Sequence, residues 1–404
     1  MYRIQTYNQI APIGLAQLPY DQFDIGNEQA DPHAILLRSH QLTTAQCGPA
    51  LLAVARAGAG TNNVPVAECT EQGVVVFNTP GANANAVKEL VLSALLMGCR
   101  GIAEGMQYVQ QHAADDDLAA QLEAQKKRFK GVELQGKTLG VIGLGAIGAS
   151  VAACALDLGM NVVGYDPAIS VDAAWRLPSA VARMESLEAL LTRADFITLH
   201  IPALPSTIGL LNQEKLAYLK PGAVLVNFAR GSVVDNHAVL QALNEGRLSK
   251  YISDFPAPDL LEHEQVLLLP HLGASTQEAE DNCAAMAASQ LAEFLRFGNI
   301  TNSVNFPVTQ LSSSTGYRLT FANRNVPGVL GDVLSILAEY SVNVTDMINK
   351  SRDQVAYNIL DTDGPLTDAM LERIQALEAV VKVRYLPTQA AMATEQEVEE
   401  SATA

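Results

Sequence analysis

The sequence of 404 residues has few basic residues, few aromatic residues and no long apolar run. Its 26 Lys and Arg face 43 Asp and Glu, and the formal net charge of −17 disfavours binding to a phosphate backbone as the main function. No apolar run approaches the roughly 18 residues of a membrane span, and the first residues lack the apolar segment of a secretory signal. We therefore expect a cytoplasmic protein without nucleic-acid or membrane partners.

Cysteine is also scarce, and its spacing excludes the common zinc motifs. The five cysteines are far apart in the sequence and form no CxxC pair: Cys47, Cys69, Cys99, Cys154 and Cys283. Such spacing predicts reduced, buried thiols and no metal site. What the chain does have is 49% apolar residues, enough for a sizeable core, and a length typical of two or three domains.

The order of apolar and amphipathic segments predicts three structured regions. Buried strand candidates separated by helical patterns indicate two doubly wound parallel sheets of α/β type, one before residue 80 and one from residue 136 onward. A long helical pattern over 85–111 connects them. After a polar linker at 311–316, the segment 317–386 follows the βαββαβ order of a ferredoxin-like module. The acidic end over 389–404 predicts a disordered tail.

A glycine-rich loop stands between a predicted strand and a predicted helix. It runs from Gly143 through Gly145 to Gly148 in the pattern GxGxxG, and Asp166 ends the next predicted strand. This order is typical of a dinucleotide site, in which the helix N-terminus faces the pyrophosphate and the carboxylate accepts from the ribose hydroxyls. A carboxylate there favours NAD over NADP. The alternative is an ordinary glycine turn in which Asp166 caps a helix.

Four polar residues fall at or just beyond predicted strand ends, where open α/β sheets bind their ligands. They are Arg230, Asp254, Asp259 and His271. An arginine there could bind a substrate carboxylate, and a histidine could transfer a proton near neutral pH. Taken singly, Arg230 could be a structural ion pair, His271 a loop residue and Asp259 a turn residue. Their joint placement beside the nucleotide loop favours a site for hydride transfer on a 2-hydroxy acid.

Several stretches of the sequence carry a more specific pattern than GxGxxG alone. They are Val54–Val64, Phe77–Gly81, Gly136–Gly148, Asn227–Gly231 and Pro270–Thr276. By these stretches the chain resembles the D-2-hydroxyacid dehydrogenases. The stretches are spread over nearly the whole chain. The resemblance implies NAD-dependent oxidation of 3-phosphoglycerate to 3-phosphohydroxypyruvate, the entry to serine synthesis. It also implies a substrate-binding domain at 1–85 and 285–308, an NAD-binding Rossmann domain at 86–284 and a regulatory domain at 316–388.

The resemblance implies a role for each matching residue. Arg230 would bind substrate and polarise its carbonyl, and His271 would be the general acid and base. Arg38 and Ser39 would hold the carboxylate or phosphate of the substrate, and the basic run 126–128 is either part of a phosphate site or a solvated helix end. The residues that fall on cofactor positions of the family are Gly143, Gly145, Ala146, Ile147, Gly148, Asp166, Ile201, Phe228, Ala229, Asp254, Gly273 and Ala274.

Two positions depart from the family pattern. The carboxylate partner of the catalytic histidine is usually Glu, whereas Asp259 stands at the corresponding offset and is one methylene shorter, about 1.5 Å less reach. We expect Asp259 to take this role, with Glu262 and Glu264 as the alternatives. The second departure is Ala59, where relatives often carry Thr, and it removes one hydroxyl contact near the cofactor.

The C-terminal module resembles an ACT domain. In relatives such a module forms dimers and binds serine, which here would place Asn323, Asn325 and Asn343 on the amino acid as an allosteric site. The alternative is a dimerisation module without a ligand. The resemblance therefore implies a homodimer or homotetramer with a possible serine effector.

Two other functions fit the same motifs. One is reduction of another 2-oxo acid: 2-oxoglutarate, hydroxypyruvate or glyoxylate. The other is a non-catalytic NAD-sensing protein of the corepressor type, against which the presence of both Arg230 and His271 argues.

Overall fold

The computed structural model describes residues 1–312 and 316–387, so the predicted tail at 389–404 and part of the predicted linker lie outside the described residues. The chain divides into two compact units. One unit holds Met1–Ala82 together with the described residues from Glu280 onward, and the other holds Asn83–Ala279. In the described part of the chain, no helix is both long and apolar enough to cross a membrane.

Strands and helices are interspersed through residue 297, and the C-terminal elements follow the predicted βαββαβ order. The strands are β1 (Tyr2–Thr6), β2 (Phe23–Gly26), β3 (Ala34–Leu37), β4 (Ala53–Arg56), β5 (Val75–Phe77), β6 (Thr138–Ile142), β7 (Asn161–Tyr165), β8 (Ala182–Arg183), β9 (Phe196–Leu199), β10 (Ala223–Asn227), β11 (Leu248–Ser253), β12 (Val266–Leu268), β13 (Tyr317–Arg324), β14 (Val344–Arg352), β15 (Val355–Thr362) and β16 (Val380–Pro387). The α-helices are α1 (Pro12–Leu15), α2 (Val66–Glu71), α3 (Ala84–Cys99), α4 (Ile102–Gln111), α5 (Leu118–Gln125), α6 (Ala146–Asp157), α7 (Val171–Trp175), α8 (Leu187–Leu191), α9 (Gln213–Leu216), α10 (Asn236–Asn244), α11 (Gln277–Phe297), α12 (Val329–Glu339) and α13 (Asp368–Gln375).

The long helix expected over 85–111 is two helices, α3 and α4, separated at Gly101. The backbone of Gly101 leaves the helical region, with φ −75° and ψ 50°. The carbonyl of Cys99 instead accepts a hydrogen bond of 2.8 Å from the N–H of Val132. A distant segment thus takes the acceptor that a continuous helix would use, which the local apolar pattern does not reveal.

The seven-stranded sheet of the second unit has the order β12-β11-β10-β9-β6-β7-β8, and all its strands are parallel. Helices α3 and α6 pack on one face, and α8, α9 and α10 pack on the other. Its central strands β6, β9 and β10 are largely apolar and buried because both faces of the sheet are covered. The chain order reverses on either side of β6, and open α/β sheets bind ligands at the carboxyl ends of the strands beside such a reversal, here β6 and β9.

The other unit contains the five-stranded parallel sheet β2-β1-β3-β4-β5 and the antiparallel sheet β14-β15-β13-β16. The predicted fold class, two parallel α/β sheets and a C-terminal βαββαβ module, is therefore confirmed. Helices α12 and α13 cover one face of the antiparallel sheet. Its opposite face, through Tyr357 and Ile359, shares a core with the apolar face of α11 and with the parallel sheet.

The C-terminal module also caps helix α11. Arg384 donates to the carbonyls of Phe294 and Leu295 at 3.1 and 2.7 Å, and the Tyr357 hydroxyl donates to the Gly298 carbonyl at 2.8 Å. The last turn of a helix has carbonyls without helical partners, and cations are favourable there. The module therefore satisfies carbonyls at the C-terminal end of α11 as well as covering its apolar side.

Candidate active site

The glycine loop after β6 has the geometry that a dinucleotide site requires. Gly143 has φ +89°, and a Cβ placed on it would lie 2.5 Å from the His200 carbonyl oxygen. A Cβ on Gly148 would lie 1.9 Å from the Gly143 carbonyl oxygen. Both positions therefore require glycine, one for the turn and one for close packing of α6 on the strand.

The space in front of this loop is open. A Cβ on Gly145 would meet no atom within 4 Å, so a ligand can approach the backbone there. Gly145 is also the N-cap of α6 and provides no side chain to satisfy the first N–H groups of that helix. Free N–H groups and the positive end of the helix dipole suit a pyrophosphate.

Asp166 at the end of β7 faces the same loop. One carboxylate oxygen accepts a hydrogen bond of 2.9 Å from the N–H of Leu144, and the other accepts one of 2.9 Å from the N–H of Ala168. These bonds hold the carboxylate beside the glycine turn. A carboxylate has further lone pairs that can accept hydrogen bonds, as the ribose hydroxyls of a dinucleotide would require.

Arg230 follows β10 and is positioned by a buried amide that the sequence did not single out. Asn227 is fully buried; its Nδ2 donates to the Arg230 carbonyl at 3.0 Å and its Oδ1 accepts from the Ala229 N–H at 3.1 Å. The same Nδ2 reaches the hydroxyl of Tyr251 at 3.3 Å. Asn227 therefore fixes the backbone that presents Arg230, and its position at a strand end was the available signal.

Asp254 links the ends of β11 and β12. It is only 1% exposed, and its Oδ2 accepts a hydrogen bond of 2.9 Å from the Gly273 N–H. Its backbone carbonyl accepts from the N–H of His271 at 3.0 Å. Burial raises the pKa of the Asp254 carboxyl, against the opposing effect of the Gly273 N–H and of the charges on His271 and Arg230.

The second carboxylate oxygen of Asp254, Oδ1, is buried, and no hydrogen-bond partner for it is found among the described residues. A buried acceptor without a donor is costly, and such atoms are often completed by a ligand. The buried Oδ1 without a partner therefore points to a ligand that donates an N–H at this position.

His271 lies at the same edge of the sheet, with an exposed side chain and φ +41°. Its ring packs against Phe255 with centroids 5.0 Å apart. Among the described residues, none of the carboxylates of Asp259, Glu262 and Glu264 is hydrogen-bonded to this ring. The structure therefore brings Arg230, Asp254 and His271 together without a carboxylate partner on the histidine.

Asp259 lies instead in the short 3-10 turn Pro258–Leu260. Its Oδ1 accepts from the side-chain amide of Asn236 at the start of α10, at 3.3 Å. The turn directs the short Asp side chain toward α10, and a longer Glu would have about 1.5 Å more reach. The pairing of Asp259 with His271 is thus not formed in the structure and stays a prediction.

Comparison with known proteins shows the family to which the chain belongs. A family model described as D-isomer specific 2-hydroxyacid dehydrogenase, NAD binding domain, matches residues 92–273. The D-3-phosphoglycerate dehydrogenase of Haemophilus influenzae is 33% identical over 372 residues, which cover 88% of this chain and 87% of that relative. The enzyme of the same name from Escherichia coli K12 is 32% identical over 373 residues, with the same coverage. The chain belongs to the D-isomer specific 2-hydroxyacid dehydrogenase family.

The fold of this chain is similar to those of solved structures. An NAD+-bound 3-phosphoglycerate dehydrogenase from Entamoeba histolytica has a TM-score of 0.60 and 24% identity, and covers 75% of this chain and 98% of its own. The TT0316 protein of Thermus thermophilus has a TM-score of 0.61 and 28% identity, and covers 75% and 99%.

NAD is the cofactor of this dehydrogenase, because the matched family model is that of an NAD-binding domain. The fit is supported by the open approach to Gly145 and by the unpartnered Oδ1 of Asp254. The remaining predicted cofactor residues lie at the same edge of the seven-stranded sheet. Ala146 and Ile147 open α6, Ile201 follows β9, Phe228 and Ala229 follow β10, and Gly273 and Ala274 follow β12.

Arg38 and Ser39 of the dehydrogenase follow β3 in the other compact unit. Asn8 holds this loop: its Oδ1 accepts from the N–H groups of Ser39 and His40 at 3.0 and 2.8 Å. Asn63 donates to the carbonyls of Arg38 and His40 at 3.2 and 2.7 Å. The sequence did not point to Asn8 or Asn63, because their role depends on contacts across the fold.

The three predicted allosteric asparagines do not converge within one chain. Asn323 is 4% exposed and its Oδ1 accepts from Asn358 at 2.8 Å. Asn325 follows β13 and donates to the Asp353 carbonyl at 3.1 Å, whereas Asn343 precedes β14. The strand register puts the end of β13 beside the end of β14, so Asn325 and Asn343 lie at opposite ends of the sheet. A ligand touching both would require a second chain.

Proposed function

We propose that this chain oxidises 3-phosphoglycerate to 3-phosphohydroxypyruvate with NAD. The observation that carries the proposal is the close placement of Arg230, Asp254 and His271 at neighbouring strand ends of an NAD-binding domain. The choice of substrate is supported by the relatives named above, which align with this chain over most of their length.

In the proposed reaction Arg230 binds the carboxylate beside C2 of the substrate. His271 accepts the proton of the C2 hydroxyl as that carbon is oxidised to a ketone. NAD, when bound, supplies the acceptor for the hydride that leaves C2. Asn227 keeps the Arg230 loop in place, which limits the reorganisation needed during the reaction.

Asp259 remains our proposed partner for His271. Its bond to Asn236 is long, at 3.3 Å, and exposed to solvent, so exchanging it for a bond to the imidazole costs little. A carboxylate on the ring would orient it and favour its protonated form.

We propose that Oδ1 of Asp254 accepts from the carboxamide of the nicotinamide, and Asp254→Asn tests this role. Asparagine can turn its oxygen to the Gly273 N–H. Its NH2 group, a donor, then stands where Oδ1 of Asp254 was an acceptor. We expect KM for NAD to rise about tenfold or more, since a buried donor would be left without a partner. Steady-state kinetics and NADH binding measure it, and an unchanged KM would refute the contact.

The same variant has an expected pH signature. Folding raises the pKa of Asp254. The contribution of this carboxyl to the free energy of unfolding is therefore fully present below the pKa that it has in the unfolded chain. It is lost as pH rises through the folded pKa. Thermal melts should therefore show Asp254→Asn gaining stability relative to the wild type over the pH range that begins at the ordinary Asp pKa of about 3.9. A constant difference across this range would contradict it.

The test of the function is NADH oxidation by the purified full-length protein with 3-phosphohydroxypyruvate. Turnover on this substrate, well above that on 2-oxoglutarate, hydroxypyruvate or glyoxylate, is the expected result. Preference for one of the other acids would reassign the substrate and keep the reaction class. NADH binding without turnover on any of them would favour the sensor function.

Repeating this assay with serine tests the C-terminal module. We propose that serine binds between two chains through Asn325 and Asn343, because these residues lie at opposite ends of the sheet in a single chain. A fall in rate is expected on this basis. An unchanged rate and no binding of serine would leave the module as a structural part of the subunit.

We also propose that the chain forms homo-oligomers. Helix α4 presents Ile102, Met106 and Val109, which are 43%, 61% and 43% exposed, along one side. Residues at this spacing lie on one face of a helix, and a continuous apolar stripe is typical of an interface. Light scattering on the purified protein should give a mass of at least twice the 43.0 kDa of one chain.

A further inference from the structure

The proposed anion-binding arginine is already paired with a carboxylate of its own chain. Nη2 of Arg38 lies 2.7 Å from Oε1 of Glu280, and the two side chains are 38% and 36% exposed. Both residues belong to the same compact unit. A substrate carboxylate or phosphate that uses Arg38 must therefore share its guanidinium with Glu280 or displace it.

A second guanidinium lies next to this pair. Nε of Arg56 donates to the Arg38 carbonyl at 3.1 Å, and a Cβ on Gly58 would lie 1.7 Å from Nη1 of Arg56. Gly58, with φ +151°, is thus the residue that makes room for the Arg56 side chain. Burial raises the pKa of the Cys283 thiol, and the charges of Arg56, Arg38 and Glu280 also act on this pKa, so all three groups lie near the thiol.

The charge of this cluster differs from that of a simple anion site. Two guanidinium groups and one carboxylate leave a single net positive charge, whereas 3-phosphoglycerate carries charge at both its carboxylate and its phosphate. Glu280 repels an incoming anion, and it also occupies one of the two paired N–H positions that Arg38 would offer.

From this geometry we infer that Glu280 determines substrate affinity and specificity by competing with the anionic group of the substrate for Arg38. The inference rests on the proposed function, in which Arg38 binds substrate. Glu280 is a positioning residue before substrate binds. It holds the Arg38 guanidinium in place and lowers the affinity for ligands that carry too little charge to displace it. Because the pair is partly exposed, the exchange is reversible and its effect moderate.

The test is the full-length variant Glu280→Gln, in which the side chain still accepts from Arg38 without repelling an anion. We expect KM for 3-phosphoglycerate to fall about two- to fivefold, with kcat within about twofold of the wild type. Glu278→Gln is the matched control, because it removes the same charge from an exposed residue of the same helix, and its KM should not change. A KM for Glu280→Gln that is unchanged or higher would overturn the inference.

Repeating the Glu280 substitution in a variant that lacks Arg38 tests whether Glu280 acts through Arg38 or only through the overall charge of the site. In Arg38→Gln, the change Glu280→Gln should lower KM by a clearly smaller factor, because the guanidinium for which it competes is gone. The same factor in both backgrounds would show that Glu280 does not act through Arg38.

Binding of inorganic phosphate keeps the inference testable without turnover. If the wild type does not act on 3-phosphoglycerate, the proposed function fails by that result alone. The inference is then decided by thermal shifts with phosphate, where Glu280→Gln should bind more tightly than the wild type and Glu278→Gln should not. Equal phosphate affinity in all three proteins would refute it.

Discussion

Replacing His271 with glutamine should lower kcat by about 10²–10⁴-fold while leaving NADH binding within about twofold of the wild type. Glutamine keeps a polar side chain at the end of β12, but it cannot accept the proton of the substrate hydroxyl. The side chain of His271 is exposed and its ring packs against Phe255, so the fold should tolerate the change. Steady-state kinetics with 3-phosphohydroxypyruvate and NADH titrations measure the two quantities.

His237→Gln is the matched control for this experiment. His237 is exposed on α10, outside the cluster of Arg230 and Asp254, and we expect this variant to keep wild-type kcat. Full activity of His271→Gln would remove the histidine from the reaction and favour a binding function. Loss of NADH binding together with activity would mean that His271 supports the cofactor site instead.

Replacing Arg318 with methionine should have the largest effect on stability. Arg318 is 3% exposed, and its guanidinium donates to both oxygens of Asp361 at 2.6 and 2.9 Å. It also donates to the carbonyls of Phe297 and Ser312. Removing one partner of a buried pair leaves the other charge without compensation, and the expected loss is about 3–5 kcal/mol in the free energy of unfolding. Urea denaturation followed by circular dichroism measures it.

Two further variants separate the ion pair from general damage. The double variant Arg318→Met with Asp361→Leu should recover much of the loss, because no isolated charge remains. Arg373→Met breaks the solvent-exposed pair with Glu339 in the same module, and its effect should be much smaller. Equal losses for Arg318→Met and Arg373→Met would show that burial of the Arg318 pair contributes nothing.

Arg318 also bears on how the C-terminal module works. Together with Arg384 and Tyr357, it binds the carbonyls at the end of α11, the helix that begins six residues after His271. The module therefore shares a core and a set of hydrogen bonds with the parallel sheet of its own unit. Any effector that it binds acts on a body that already includes α11.

The sequence by itself determined the elements whose signals are local. The glycine loop, the acid after β7 and the continuous apolar strands are patterns set by backbone conformation and by burial on both faces, so they can be read residue by residue. Arg230, Asp254 and His271 could be grouped for the same reason, since the carboxyl ends of parallel strands share one edge.

Only the tertiary structure decided the contacts between distant segments. The break between α3 and α4 depends on Val132, the support of Arg230 depends on the buried Asn227, and the partner of Asp259 is Asn236 on another helix. Likewise, nothing in the spacing of Arg38 and Glu280 predicts their ion pair. These contacts depend on how helices and loops pack in three dimensions. The position of each side chain is set by neighbours that lie far away in the sequence, so local patterns do not predict it.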